Sequence, residues 1–445
     1  MNKIPEELKL YILRFLDVIS LGKMILVSKD FNNLTNTFVE NMLSTLFERY
    51  YYPYTINYLS SCSSNLEKLN KLIGRYDKKC LWIIGGYTQI DFVEVTHLVP
   101  TLGADIVEPP LKFFMNDTKL FYSRYNATAA IHKGDMFIAA GSNAYEKDLG
   151  TTDRYNLFEQ KWNRINQVMK YHLSGQTLIS YRNILYMIGG YYTEMSLNPD
   201  AGYDSEDENM PVHFKSDIYY FRDDNSDKLN GKWVNINEKE IEVEDANNII
   251  RHPLPFGRGQ AVAIVYNNNL VLAGGYSDIK GPQKLIFTYN GATDQWDENL
   301  IPPLSTITLI LKFVVIQNEL YAIGHNVEID GLVTSPSGNL CIEKLHCGHW
   351  VVVEEYTKCI RMNCAVESFG DVIYIFGGRD EENSFSHDPS FQSYDAYDVV
   401  KKIWLSDLFP LLSERIMGVS NKGTFLQSVN GVAVKLMDHD SKILW

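Results

Sequence analysis

The sequence predicts a small all-α module at the N-terminus followed by an all-β repeat domain, and two observations carry that expectation. A short apolar strand ending in small residues recurs along most of the chain, whereas residues 1–46 have a helical period instead. The clear copies of the strand are Leu81-Trp-Ile-Ile-Gly-Gly86, Ile184-Leu-Tyr-Met-Ile-Gly-Gly190, Leu270-Val-Leu-Ala-Gly-Gly275 and Ile373-Tyr-Ile-Phe-Gly-Gly378. Met136-Phe-Ile-Ala-Ala-Gly141 and Leu320-Tyr-Ala-Ile-Gly-His325 are eroded copies. Each reads as a buried strand that stops where the backbone turns tightly or takes positive φ. Six copies in one chain indicate a repeat architecture.

The surroundings of each copy define the unit. Sixteen residues before the first glycine position stand Arg124, Arg258, Thr308 and Arg361, with His172 seventeen before Gly189. Between that position and the glycines runs a first strand, as in Gly259-Gln-Ala-Val-Ala-Ile-Val-Tyr266, then turn residues, then the apolar strand. A third strand follows with an aromatic (Tyr155, Tyr219, Tyr289, Tyr397), and a fourth with a Trp (Trp162, Trp233, Trp296, Trp350, Trp404). A four-stranded sheet of this size cannot cover both its own faces, so the copies must stack, and radial stacking also protects their edges. In this order of Gly-Gly, Tyr and Trp, residues 80 to 431 resemble kelch repeats. The resemblance implies an all-β kelch propeller, assigned to residues 80–445. The first unit lacks its own first strand, and Arg415-Ile-Met-Gly-Val-Ser420 has the character of a strand that closes the ring from the C-terminus. That gives six blades, with seven as the alternative, because Arg415 also lies sixteen before Gly431.

In residues 4–16, Pro5 suits a first helical turn, Glu6 and Glu7 suit its positive end, and Leu8, Ile12, Phe15 and Leu16 form one stripe. Ser20 can cap a second short helix over 21–27, and Ser28 a third carrying Phe31, Leu34, Phe38 and Met42. Three small helices bury little by themselves, which leaves apolar surface for a partner. With Ile4, Pro5, Leu8, Ile12, Leu13, Leu16, Leu21, Val27 and Phe31 in place, this stretch resembles an F-box, although the usual Trp near its end is not present. The resemblance implies that these residues dock a Skp-family adaptor and, through it, a cullin. Residues 47–79 read as a helical and loop linker, including a short amphipathic helix over Asn65-Leu-Glu-Lys-Leu-Asn-Lys-Leu-Ile73.

The composition narrows the partners. The formal charge is −14 from 41 basic and 55 acidic residues, which argues against a general nucleic-acid or acidic-membrane binder. The start lacks a signal-peptide core and the longest apolar run, 307–316, is interrupted by Lys312, so an intracellular protein, cytoplasmic or nuclear, is expected. Six scattered cysteines suit reduced thiols. The one metal-like grouping, Cys341, His346, Cys347 and His349, lacks zinc-finger spacing and would alternate across a strand, so no metal and no cofactor is expected. No nucleophile elbow, phosphate loop or metalloprotease helix appears, which points to a binding scaffold rather than an enzyme. Long loops follow Gly190, Gly324 and Gly378 on one face; the first is acidic and contains Ser205 before Glu206-Asp-Glu208 as a candidate phosphorylation site. The two resemblances together suggest a substrate-recognition subunit of an SCF-type ubiquitin ligase. In such a receptor Arg124, His172, Arg258, Arg361 and Arg415 would form a ring that reads an acidic or phosphorylated segment of a target. The other reading of these arginines is structural, satisfying nearby carbonyls or pairing with loop acids.

If the N-terminal stripe docks an adaptor, Leu8→Asp should weaken that interaction about tenfold or more, because one such buried side chain contributes about 1.5–3 kcal/mol. Co-purification of adaptor with a Leu8→Asp, Leu16→Asp double mutant is the check, and undiminished recovery would remove the assignment.

Overall fold

Strands with two apolar faces need cover on both, and the architecture follows from that need. The structure, a computed structural model, describes residues 32–41, most of 62–68 and, between 80 and 436, the strands and connections named below. Among the described residues five sheets have four strands each, and a sixth adds a two-residue fifth strand to its four. The second sheet runs Thr128–His132, Asp135–Ala139, Thr152–Asn156, Lys161–Arg164; the third Thr177–Tyr181, Ile184–Ile188, Ile218–Arg222, Lys232–Asn235. The fourth runs Gly259–Tyr266, Asn269–Ser277, Ile286–Asn290, Gln295–Asp297, and Gly281–Pro282 is its extra strand. The fifth contains Leu309–Ile316, Glu319–Asp330, Val333–His346 and His349–Tyr356; the sixth Ala365–Phe369, Val372–Phe376, Tyr394–Asp398 and Ile403–Trp404. All neighbouring strands are antiparallel.

The first sheet draws its opening strand from the far end of the chain. Val432–Leu436 pairs with Cys80–Ile84, in register Cys80↔Leu436 through Ile84↔Val432, and Ala104–Glu108 and Lys112–Asn116 complete the sheet. The closing strand is therefore this one and not 415–420, which lies outside the described residues. An alternating Val-Ala-Val-Lys-Leu run directly after Gly431 supplies the five positions that the pairing uses. The opening strands also form a closed circuit: Thr128–His132 lies beside Thr177–Tyr181, then Gly259–Tyr266, Leu309–Ile316, Ala365–Phe369 and Val432–Leu436, which returns to Thr128–His132. This is a β-propeller-like arrangement.

Alternation along strand two assigns side chains to the two interfaces of each sheet. Leu185 and Met187 pack toward the second sheet with Phe137 and Trp233, whereas Tyr186 and Ile188 pack toward the fourth with Leu270 and Leu272. Val271 and Ala273 face the opposite way, into a cluster with Phe313, Ala322 and Trp350 of the fifth sheet. Ile323, Ile342, Ile373 and Ile375 continue the pattern between the fifth and sixth. Each fully buried side chain of this kind contributes about 1.5–3 kcal/mol, so the interfaces and not the isolated sheets hold the ring together.

The aromatic of strand three and the Trp of strand four are direct cross-strand partners: Tyr155↔Trp162, Tyr289↔Trp296 and Tyr397↔Trp404. In the third sheet the partner of Trp233 is Phe221, not Tyr219 as the pattern suggested, with ring centroids 5.2 Å apart. Tyr219 lies two residues earlier and opposes Asn235. Three indoles also tie their sheets to what precedes them. Trp233 donates to Thr152 Oγ1 (2.9 Å), Trp350 to the Pro302 carbonyl (2.8 Å) and Trp404 to Glu354 Oε1 (3.1 Å).

Of the N-terminal module, the described part is a helix over 32–41, in which Thr35, Phe38 and Val39 are buried and Leu34 is half-buried. Ile4, Pro5, Leu8, Ile12, Leu13, Leu16, Leu21, Val27 and Phe31 lie outside the described residues. In the linker, Ser64 Oγ accepts from the Glu67 amide at 3.2 Å while Glu67 Oε2 accepts from the Ser63 amide at 2.8 Å, a variant of the reciprocal capping box that starts a helical turn. Asn65 Nδ2 donates to Glu40 Oε1 at 3.2 Å, joining that turn to the 32–41 helix.

One buried carboxylate fixes the connection between the fourth and fifth sheets. Glu343 accepts from the amides of Ser305 (2.9 Å), Thr306 (2.7 Å) and Ile307 (2.8 Å) and from the Ser305 and Thr306 hydroxyls at 2.8 and 2.6 Å. Burial by itself would raise the Glu343 carboxyl, but these donors outweigh it and hold it below the ordinary glutamate value. A folded value below the unfolded one contributes stability above the unfolded pKa, and that stability is lost as pH falls through the folded pKa. Glu343→Gln should cost about 1.5–3 kcal/mol at neutral pH, and its difference from wild type should shrink on acidification; thermal melts across pH are the check. Removing residues 432–445 should open the circuit and expose the Cys80–Ile84 edge to aggregation. A soluble, cooperatively melting truncation would count against closure.

Candidate functional site on the glycine-corner face

In the second, third and fourth sheets strand two reaches a corner with positive-φ backbone. Gly189 and Gly190 have φ of 68° and 101°, and Gly274 and Gly275 have 68° and 81°. The eroded copy keeps the same shape, with Ala140 at 53° and Gly141 at 85°. A Cβ on Gly189 would lie 2.6 Å from the Arg258 carbonyl, and the Gly190 amide donates to that carbonyl at 2.8 Å. The corners of the second and third sheets are thus fitted against the start of the next sheet.

The sixteen-residue interval acquires a physical meaning at these corners. Arg124 Nη1 donates to the Ala140 carbonyl at 3.0 Å and Arg258 Nη1 to the Gly274 carbonyl at 3.2 Å, each reaching the first glycine position of its own repeat. Arg124 also donates to the Thr151 carbonyl (3.1 Å) and Oγ1 (3.2 Å) and pairs with Asp153 Oδ2 at 2.9 Å. Arg258 lies between aromatic rings instead, 4.4 Å from the centroid of Phe256 and 4.5 Å from that of Phe287. Burial brings its pKa down to about 10, so it stays protonated at neutral pH.

Both guanidiniums are 0% exposed. A basic ring that reads a target needs arginines presented to solvent, and these two serve the corners of their own repeats. The equivalent backbone position in the third sheet belongs to Leu173, whose carbonyl accepts from the Gly141 amide at 3.3 Å, as that of Arg258 accepts from Gly190. His172, one residue earlier, lies outside the described residues, as do Thr308 and Arg415. Arg361 is placed by its backbone alone, opposite Asp380.

A third buried arginine was not legible in the sequence. Arg154 Nε pairs with Asp135 at 2.7 Å and its Nη1 with Asp223 at 3.1 Å, joining the second sheet to the third. Only its place in a strand buried at all five positions could have pointed to it.

Beyond the corners, short two-stranded ribbons extend the repeats. Tyr87–Gln89 pairs with Leu98–Pro100, Ser142–Asn143 with Lys147–Asp148, Tyr191–Thr193 with Val212–Phe214, and Arg361–Met362 with Arg379–Asp380. In the fifth sheet the strands themselves run on, pairing Val327–Asp330 with Val333–Pro336. On the third ribbon Tyr192 stacks on His213 with centroids 5.1 Å apart, and the Lys215 ammonium lies 4.9 Å from the Tyr192 centroid. Ser205 and the acidic loop lie outside the described residues.

The Cys341 grouping is separated by the fold. Cys341 is buried, with its thiol pKa pushed up by burial and then by Glu355, whereas Cys347 is exposed in the turn before Gly348. Among the described residues no three of His, Cys, Asp or Glu converge as metal ligands. Among them, too, no helix is long and apolar enough to cross a membrane.

Residues 1–41 match the F-box domain family. F-box domains generally bind Skp-family adaptors. A search of curated proteins finds no match to this chain. An F-box followed by a propeller-like ring suits a non-catalytic receptor architecture.

The corner geometry makes a direct forecast for Arg124. Arg124→Ala strips Asp153 of one of its two arginine partners inside the protein and should destabilise the fold by about 3–5 kcal/mol, the usual cost of breaking a buried pair from one side. Thermal or denaturant unfolding measures it. A change near zero would return Arg124 to the surface-binding role.

Proposed function

We propose that this chain is the target-recognition subunit of an SCF-type, cullin-RING ubiquitin ligase, with a six-bladed kelch-type propeller as its receptor domain. The observation that carries the proposal is the F-box match over residues 1–41 on the same chain as a ring of stacked sheets. In this reading the F-box docks a Skp-family adaptor and thereby a cullin, inside the cell. The ring holds the target on its glycine-corner face, where paired ribbons extend each repeat on a rigid frame. Transfer chemistry belongs to other subunits, and this chain contributes proximity. The target is proposed to carry an acidic or phosphorylated segment, with His172, Arg361 and Arg415 as the basic positions to test. Arg124 and Arg258 enter those tests as stability controls.

Affinity purification of the full chain, scoring adaptor and cullin with and without proteasome inhibition, tests the proposal. Recovery of both, with further proteins that accumulate under inhibition, is expected. Adaptor without cullin would make the chain an adaptor decoy, and recovery of neither would overturn the reading.

A further inference from the structure

Two repeats solve the same burial problem differently. Asp153 opposes Ile138, two residues before Ala140, and Phe287 opposes Leu272, two residues before Gly274, so Asp153 and Phe287 occupy equivalent places. By the same register, Leu285 stands where Thr151 stands in the second sheet. The carboxylate and the hydroxyl that receive Arg124 thus have apolar replacements around Arg258. The arginine itself is retained, 0% exposed, and spends Nη1 on the Gly274 carbonyl. Its Nε and Nη2 have no hydrogen-bond partner, and no carboxylate pairs with it among the described residues.

The two unpartnered nitrogens form one edge of the guanidinium, the fork that binds a planar oxyanion through two parallel hydrogen bonds. A buried cation without a counter-charge is strongly unfavourable, and an unmet buried donor adds to that. The rings of Phe256 and Phe287 stabilise the cation but accept nothing along that edge. We propose that the open edge of Arg258 is an anion site, filled in the folded protein by a small planar monovalent oxyanion of the formate or bicarbonate class. Its place beside the Gly274 corner makes it a structural site, independent of whether the chain serves a ligase.

Sodium formate is the probe, with the sodium salt of a bulky sulfonate at equal ionic strength as the control. The melting temperature of the full chain should rise saturably with formate and not with the sulfonate, following mass action for a ligand of the native state. Arg258→Met keeps an unbranched chain between the two rings and should abolish the saturable component. Calorimetric titration of wild type with formate should show one site, lost in the variant. If wild type and Arg258→Met respond alike to both salts, or if calorimetry finds no formate site, the proposal is overturned. Should Arg258→Met fail to fold, the formate-against-sulfonate comparison in wild type decides alone: a saturable, formate-specific rise supports the site and equal responses refute it.

Discussion

Every well-described strand two of the ring is buried on both faces, and the rest of the molecule depends on this constraint. Tyr186 and Ile188 face one neighbour while Leu185 and Met187 face the other, so no sheet is stable without two others. A linear stack would leave two terminal faces open to water. A circuit leaves none, which is why Val432–Leu436 travels back to Cys80–Ile84 and why the two ends of the repeat region are bound into one sheet. Long-range pairing of this kind is slow to form, since loop closure precedes the contacts that reward it.

Close stacking creates a second problem, the fate of backbone carbonyls at the corners where strand two ends. Arginine meets it, because its fork reaches a carbonyl sixteen residues away while its stem packs among apolar groups. The charge then has to be compensated. The second sheet does so with Asp153, which Arg164 also approaches at 3.3 Å, and the fourth with aromatic faces. Arg154, held between Asp135 and Asp223, uses the same chemistry to join two sheets. Buried ion pairs of this type add little net stability relative to apolar packing, yet they strongly penalise the loss of one member.

Rigidity at the corners suits a receptor. In the second and fourth sheets the ribbons that extend strand two start from backbone held by the preceding strand and by an arginine. Variation can accumulate in such loops without disturbing the interfaces beneath them, and this separation of frame from reader is common among binding scaffolds. The helix at 32–41 and the capped turn near Ser64 bring the N-terminal module toward the same economy, with Asn65 and Glu40 linking the two pieces.

The repeat period, the strand order and the aromatic pairing were legible in the sequence because each is local. Alternation over five residues, glycines at a corner and Tyr opposite Trp are set by φ, side-chain period and cross-strand distance. Of the N-terminal module, the helix over 32–41 was legible for the same reason. What only the tertiary structure decided are matters of which groups meet across the chain. The spacing of Arg124 and Arg258 was visible, but whether a guanidinium faces solvent or a corner carbonyl depends on the sheet stacked above it. Leu173 takes the corner position beside His172, Phe221 rather than Tyr219 meets Trp233, and Val432–Leu436 rather than 415–420 closes the ring. Each alternative satisfies the local pattern about equally well, and only burial against a distant neighbour distinguishes them.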